Sequence, residues 1–275
     1  MAKDGTTSMA ERFAFGRNWR SFLEHVDETR IAAAEDSLRR LLRLDDLTGL
    51  SFLDVGCGSG LFSLAARRLG ATVRAFDYDA DSVTAATELK RRFRPDDPDW
   101  SIERGDVLDP EFRAGLGRAD VVYSWGVLHH TGDLSGALAG VAELVQPGGR
   151  LCIAIYNHQP FLTGYWRRVK RLYVALPRPL AFLVSGAYFL FTSSVLGVLD
   201  LARGRDPRDR HRQAGPRGMN HYHDVVDWVG GWPFEAARPE DVFRFYRDRG
   251  FTLLELKTCG GRHGCNEFLL RRGDA

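Results

Sequence analysis

The stretch Phe52-Leu53-Asp54-Val55-Gly56-Cys57-Gly58-Ser59-Gly60 decides the fold of this 275-residue chain. It opens as an apolar strand, breaks into three glycines at alternate positions, and restarts as a helix at Leu61. Glycines there leave main-chain N–H groups open to a ligand, and the turn requires φ above zero at one position or more. The dinucleotide fingerprint G-x-G-x-x-G is the nearest alternative. In this chain the third glycine follows the second by two residues rather than three, and Asp54 precedes the first by two.

Working outward, Ala71 to Phe76 reads as a second strand ending in Asp77, and Trp100 to Arg104 as a third ending in Gly105-Asp106. Asp120 to Trp125 is a fourth that runs into Gly126-Val127-Leu128-His129-His130, and Pro147-Gly148-Gly149 turns into a fifth, Arg150 to Tyr156. Helical stretches at Leu61 to Leu69, Asp81 to Phe93 and Leu134 to Val145, with a short turn near Glu111, alternate with the strands. That alternation predicts an α/β fold with a doubly wound parallel sheet. Pro239 suits the first position of a helix reaching Arg249. Phe251 to Cys259 and Cys265 to Arg271 then form two strands joined by Gly260-Gly261-Arg262-His263-Gly264.

This succession resembles the class I S-adenosylmethionine (SAM) dependent methyltransferases over Leu50 to Tyr156 and again over Arg238 to Arg271. It looks most like the small-molecule branch that includes the ubiquinone-biosynthesis methyltransferases. The resemblance implies a Rossmann-like seven-stranded sheet with the sixth strand parallel to the first five and the seventh antiparallel. The last hairpin loop, with His263 and Asn266 beside it, then lies at the ligand edge. The implied cofactor is SAM, with S-adenosylhomocysteine (SAH) as product. By resemblance Gly56, Cys57, Gly58 and Gly60 approach the amino-acid tail and ribose, Asp77 binds the ribose hydroxyls, and Asp106 accepts from the adenine amino group beside Val107. Tyr78 packs on the adenosine, and Asp54 steadies the loop through backbone N–H groups. Taken singly, Asp77 or Asp106 also reads as a helix N-cap or turn acid.

Methyl transfer is an in-line attack on an activated methyl group, so the protein supplies orientation, dryness and, for a protonated nucleophile, a base. His130 and His129 are the candidates, placed just beyond the fourth strand. The quinone-pathway members carry Glu-His where this chain has His129-His130, which leaves a carboxylate-dependent role without support. Tyr156, His223 and His263 are candidate acceptor-pocket residues, with Asn157 and Asp224 beside them; strand-end polarity and aromatic pinning of an insertion are the competing readings. Cys259, His263 and Cys265 invite a zinc reading, but their spacing lacks closely paired ligands, and no metal is expected.

The organisation expected is an N-terminal helical cap over 1–48, a SAM-binding core over 49–157, a helical insertion or substrate lid over 158–237, and a helix with a β-hairpin over 238–275. A hydrophobic share of 44% supports a core of that size. A net charge of +2 gives no reason to expect nucleic acid, and lysine occurs only at Lys3, Lys90, Lys170 and Lys257, which points to GC-rich bacterial coding. Four cysteines form no disulfide framework and no secretory leader stands at Met1 to Ala10, so a cytoplasmic setting is expected. Leu180 to Leu199 carries no charge and is flanked by Arg167 to Arg171 and Arg203 to Arg217. It reads first as a buried helical lid over a small, hydrophobic acceptor, then as a peripheral membrane contact, and least as a span. A SAM-dependent methyltransferase acting on a small molecule, O-transfer ahead of C- or N-transfer, is the expected function. A non-catalytic SAM-binding partner is the alternative, and a nicotinamide oxidoreductase would need the other glycine spacing. The oligomeric state is not legible.

Overall fold

The computed structural model describes residues 26–206, 221–261 and 264–274, together with Gly16 and Leu23. His263 lies outside them, and so does the side chain of His223. Seven strands form one sheet: β1 Ser51–Val55, β2 Thr72–Asp77, β3 Trp100–Arg104, β4 Ala119–Trp125, β5 Val145–Tyr156, β6 Phe251–Lys257 and β7 Cys265–Arg272. Their order is β3-β2-β1-β4-β5-β7-β6. β7 runs antiparallel to both β5 and β6, so β6 points the same way as the first five. The Rossmann-like sheet expected from the resemblance is therefore present, with the final hairpin loop on the edge that also carries the glycine turn.

Alternation along β1 explains the two-sided core. Phe52 packs with Leu64, Val73, Tyr123 and Leu269 on one face, while Leu53 and Val55 pack with Val122, Ile153, Phe268 and Leu270 on the other. Helices α1 (Glu28–Leu42), α2 (Leu61–Arg68) and α3 (Ala80–Phe93) cover the first face. α4 (Pro110–Leu116) and α5 (Leu134–Leu144) lie over the second. Asp27, Asp79, Asp109 and Asp133 each accept from a first-turn N–H and cap α1, α3, α4 and α5. The short turn expected near Glu111 is thus a helix of 7 residues, because Asp109 and Pro110 nucleate it. β5 begins at Val145 rather than Arg150, since Val145 already pairs with Ala119 before the chain reaches Pro147.

Between β5 and β6 the chain forms α6 (Leu162–Ala175), α7 (Arg178–Ala202) and α8 (His221–Gly230), followed by α9 (Pro239–Arg247). The structure corrects the buried-lid reading of Leu180 to Leu199. Ala181, Tyr188 and Phe189 pack against Tyr173, Val225 and Val229, yet Phe182, Leu190 and Val198 remain 64%, 65% and 66% exposed. The reason is geometric: α7 has 25 residues and is apolar around most of its girth, and α8, with 10 residues, covers a single stripe.

Candidate active site

α2 differs from the helices that follow β2, β3 and β4. It has no side-chain cap, and its N-cap is Gly60 at φ 78°. Gly56 and Gly58 are also left-handed, at φ 76° and 55°, so all three glycines occupy conformations that other residues reach only with strain. A Cβ on Gly56 would meet Val127 Cγ1 at 2.3 Å, and one on Gly60 would meet Ala86 Cβ at 2.9 Å. The result is a bare-backbone cradle at the open N-terminus of a helix, suited to an anionic ligand group.

Asp77 stands at the end of β2 with both oxygens engaged: Oδ2 accepts from Gly58 N at 2.9 Å and Oδ1 from Asp79 N at 2.9 Å. Asp79, not Asp77, is the helix cap. Burial raises the Asp77 carboxyl to about 6 against the pull of those N–H groups. Asp54 is buried beneath the loop, where desolvation raises it to about 7. Its partner is Ser63 Oγ at 2.5 Å on α2 rather than the loop N–H groups expected, because the carboxyl points toward the helix. Asp106 accepts from Leu108 N at 2.9 Å in an Asx turn, leaving the capping of α4 to Asp109. Val107 is buried beside it, and burial also pushes the Cys57 thiol well up.

These groups line a cavity of about 1320 Å³ that continues across the sheet edge. Tyr78 is on its wall at the β2 end, as are Phe62, Tyr123, Trp125, Tyr156, Trp228, Trp232 and Pro233 on the side of β4, β5 and the insertion. None of the described side chains of α7 lines this wall; α8 and the loop after it contribute to it.

Neighbouring histidines take different places. His130 lines the cavity, and its Nδ1 lies 2.7 Å from the carbonyl oxygen of Pro233. Burial, with the charge of Lys170 adding to it, lowers the His130 pKa to about 3. His129 is 0% exposed, accepts from Tyr156 N through Nδ1 at 3.3 Å, and lies with its ring 3.8 Å from that of Tyr156. It joins the ends of β4 and β5 behind the cavity wall.

A family profile described as a methyltransferase domain matches residues 24–194. The chain belongs to the class I SAM-dependent methyltransferase domain family. Ubiquinone biosynthesis O-methyltransferases of Rhodopseudomonas palustris (strain BisB18) and Xanthomonas oryzae pv. oryzae (strain PXO99A) are similar to it, at 32% identity over 128 residues and 34% over 115. Those alignments cover 46% and 42% of this chain and 48% and 46% of the relatives, so the chain spans about half the length of the curated relatives it matches. Among solved structures, SAH-bound magnesium protoporphyrin IX methyltransferase (ChlM) from Synechocystis PCC 6803 aligns with a TM-score of 0.53 at 18% identity, covering 94% of each chain. An O-methyltransferase family protein from Burkholderia thailandensis aligns with a TM-score of 0.54 at 15% identity, covering 89% of this chain and 57% of that one. At such identities the likeness is one of fold.

The family implies SAM as cofactor, and the methyltransferase has a site that suits it. The cradle left bare by Gly56, Gly58 and Gly60 can receive the amino-acid tail, and Asp77 and Asp106 present acceptors at successive strand ends. The buried carboxyls of Asp54 and Asp77, raised by burial, favour a cation in their midst. Among the described residues no group of three or more His, Cys, Asp or Glu is placed to hold a metal ion. Cys259 and Cys265 flank the hairpin loop, and Asn266 is 1% exposed, donating from Nδ2 to Asn157 Oδ1 at 3.1 Å.

Two features of the methyltransferase escaped the sequence reading. Phe62, one residue into α2, stacks on Tyr123 with centroids 5.2 Å apart and walls the cavity. Lys170, which reads as one member of a solvated basic run, is fully buried. Its Nζ donates to the carbonyl of Trp228 and lies 4.5 Å from the Trp228 ring centroid and 4.9 Å from that of Phe234. The usable signal was the i,i+4 spacing of Trp166 and Lys170 inside a stripe that Thr163 and Tyr173 complete.

Proposed function

We propose that this methyltransferase methylates a hydroxyl on a small, ring-containing acceptor held in the aromatic half of the cavity. The observation that carries the reading is the continuity of the glycine cradle with a wall of Phe62, Tyr123, Trp125, Tyr156 and Trp228, at whose edge stands His130. O-transfer draws support from the half-length similarity to the ubiquinone O-methyltransferases.

When bound, SAM supplies a sulfonium-activated methyl group. The chain's own residues do the rest. The Gly56 to Gly60 loop and Asp77 fix the donor's position, and the aromatic wall orients the acceptor ring and excludes water. A carbonyl oxygen can only accept, so His130 keeps its proton on Nδ1 toward Pro233, and Nε2 is the basic nitrogen. Nε2 accepts the hydrogen bond of the acceptor hydroxyl and so aims its oxygen at the methyl group. With the imidazole held down to about 3, His130 is neutral throughout the working range. The positive charge of Lys170 that disfavours an imidazolium favours an oxyanion on the acceptor. Ionisation is thereby shifted toward the acceptor itself.

The test is incubation of the protein and SAM with a panel of phenols, catechols, amines and activated carbon acids, read by product mass and by the methylated atom. Methylation confined to amines or carbon acids would overturn O-transfer. SAH binding without any methylated product would favour a non-catalytic SAM-binding role.

A further inference from the structure

The outer face of the insertion is apolar and basic at once. Phe182, Leu183, Leu190 and Phe191 on α7 are 64%, 64%, 65% and 64% exposed, and Phe161 at the start of α6 is 95% exposed. Arg167, Arg168 and Arg171 are exposed on α6, and Arg203 and Arg205 are exposed beyond the end of α7. Across residues 158–206 the sequence has two carboxylates, Asp200 and Asp206, and Asp200 is buried against the protein. Soluble proteins rarely leave so continuous an apolar surface in water.

We infer that this face docks on an anionic phospholipid bilayer, with α7 lying along the surface rather than crossing it. Length and composition permit a span, since Pro179–Ala202 has 24 residues and a mean hydropathy of 1.8. Topology opposes one: β5 precedes the insertion and β6 follows it in the same sheet, so both ends of the insertion stay on one side. The inner stripe is also committed, because Ala181, Tyr188 and Phe189 pack on the rest of the insertion. A second copy of the chain is the other candidate occupant. A two-fold interface through this face would bring its arginine fringe against itself, with no carboxylate fringe to answer it. Anionic headgroups answer it directly, each arginine near such a surface raising partition about fivefold.

The inner stripe of α7 is joined to the cavity wall by two ring contacts. Tyr188 of α7 contacts Trp166 at 5.5 Å between centroids, and Trp166 contacts the cavity residue Trp228 at 5.2 Å. Two ring contacts thus separate α7 from the acceptor half of the cavity. The inference stands on α6 and α7 and does not depend on which atom is methylated.

Cosedimentation of the full chain with phosphatidylcholine vesicles, with and without phosphatidylglycerol, tests it. Binding is expected to the phosphatidylglycerol vesicles, weakened by added salt. The double variant Phe182→Glu/Phe191→Glu and the triple variant Arg167→Glu/Arg168→Glu/Arg171→Glu should each lower partition at least about tenfold. Both should keep the wild-type SAH-induced thermal shift. The wild-type salt and lipid dependence carries the test even if a variant folds poorly. Absence of binding to phosphatidylglycerol vesicles, or binding indifferent to salt and to both variants, overturns the inference. So does a stable dimer that Phe182→Glu/Phe191→Glu dissolves, or recovery only as a detergent-extracted integral protein.

Discussion

His130 Nδ1 lies 2.7 Å from the carbonyl oxygen of Pro233, a residue 103 positions later in the chain. This contact ties the end of β4 to the loop that closes the insertion, and it sets the tautomer of the histidine. The rate of methyl transfer should therefore show no inflection near the ordinary histidine pKa, because His130 is already neutral well below it. At saturating SAM the pH–rate profile should rise with the acceptor's own ionisation and show no histidine limb between about 4 and 7. His130→Ala should lower kcat by about tenfold, the worth of one orienting hydrogen bond, with SAH affinity unchanged. An inflection near 6.5 that disappears in the variant would show that the imidazole is not held down.

Asp77 governs a second pH dependence. SAH and SAM binding should weaken as pH falls through about 6, where the carboxyl takes up its proton and loses its capacity as a two-oxygen acceptor. Asp77→Asn should remove that limb and weaken binding about ten- to a hundredfold, the range of one charge-assisted hydrogen bond. Calorimetry across the pH range measures both. Unchanged affinity in a folded variant would place Asp77 outside the binding site.

The same carboxyls shape the stability of the cofactor-free protein. Asp54 and Asp77 have folded pKa values of about 7 and about 6, above their ordinary value of 3.8. Their stabilising contribution is present below that ordinary value and is lost as pH rises through about 6 to 7. His130 has the opposite sign: its contribution is present above 6.5 and is lost as pH falls toward about 3. Thermal melts of Asp54→Asn should consequently lose part of the decline expected between pH 4 and 7 in the wild type, a difference read directly from Tm against pH.

Gly56→Ala should abolish cofactor binding and destabilise the fold, since φ 76° and a contact at 2.3 Å to Val127 act together. Adding Val127→Ala should relieve the collision but not the backbone strain, giving partial recovery of stability alone. Gly164→Ala is the contrast, because Gly164 lies within α6 and a Cβ there meets nothing within 4 Å. A gain of about 0.5–1 kcal/mol is expected from the restricted unfolded chain. Denaturant titration compares the three.

Lys170→Met tests the aromatic cage. The thioether keeps much of the volume but loses the donor to Trp228 and the cation above two rings. Destabilisation of about 2 kcal/mol and a blurred near-ultraviolet tryptophan signal are expected. The alkaline limb of the rate should move to higher pH as the field on the acceptor weakens. A variant with unchanged stability and profile would show that the ammonium neither braces the insertion nor acts on the acceptor.

Much of the sheet is readable because its signals are local. The apolar run before Gly56, the carboxylates at Asp77 and Asp106, and the Pro-Gly-Gly before β5 depend on what a few adjacent residues do to the backbone. Asp54 is legible as a loop acid but its partner is not, since Ser63 becomes its neighbour only when α2 folds back over β1. His129 and His130 are equivalent in a linear reading. A single 3₁₀ turn, Leu128–His130, separates them into a buried brace and a cavity wall.

The insertion divides the two levels most clearly. That Leu180 to Leu199 is helical and uncharged, and that Arg167 to Arg171 is basic, follows from composition and periodicity. Which of these residues water can reach is a matter of supply: a helix face is buried only where another element arrives to cover it. α8 arrives with 10 residues against the 25 of α7, so the apolar helix stays exposed while Lys170, inside the basic run, is enclosed by Trp166, Trp228 and Phe234. The sequence by itself determined the sheet, the glycine cradle and the acids at its rim, because those rest on backbone geometry within a few residues. Only the tertiary structure decided which histidine meets the cavity, what Asp54 holds, and which face of the insertion is left uncovered, because each depends on residues brought together from distant parts of the chain.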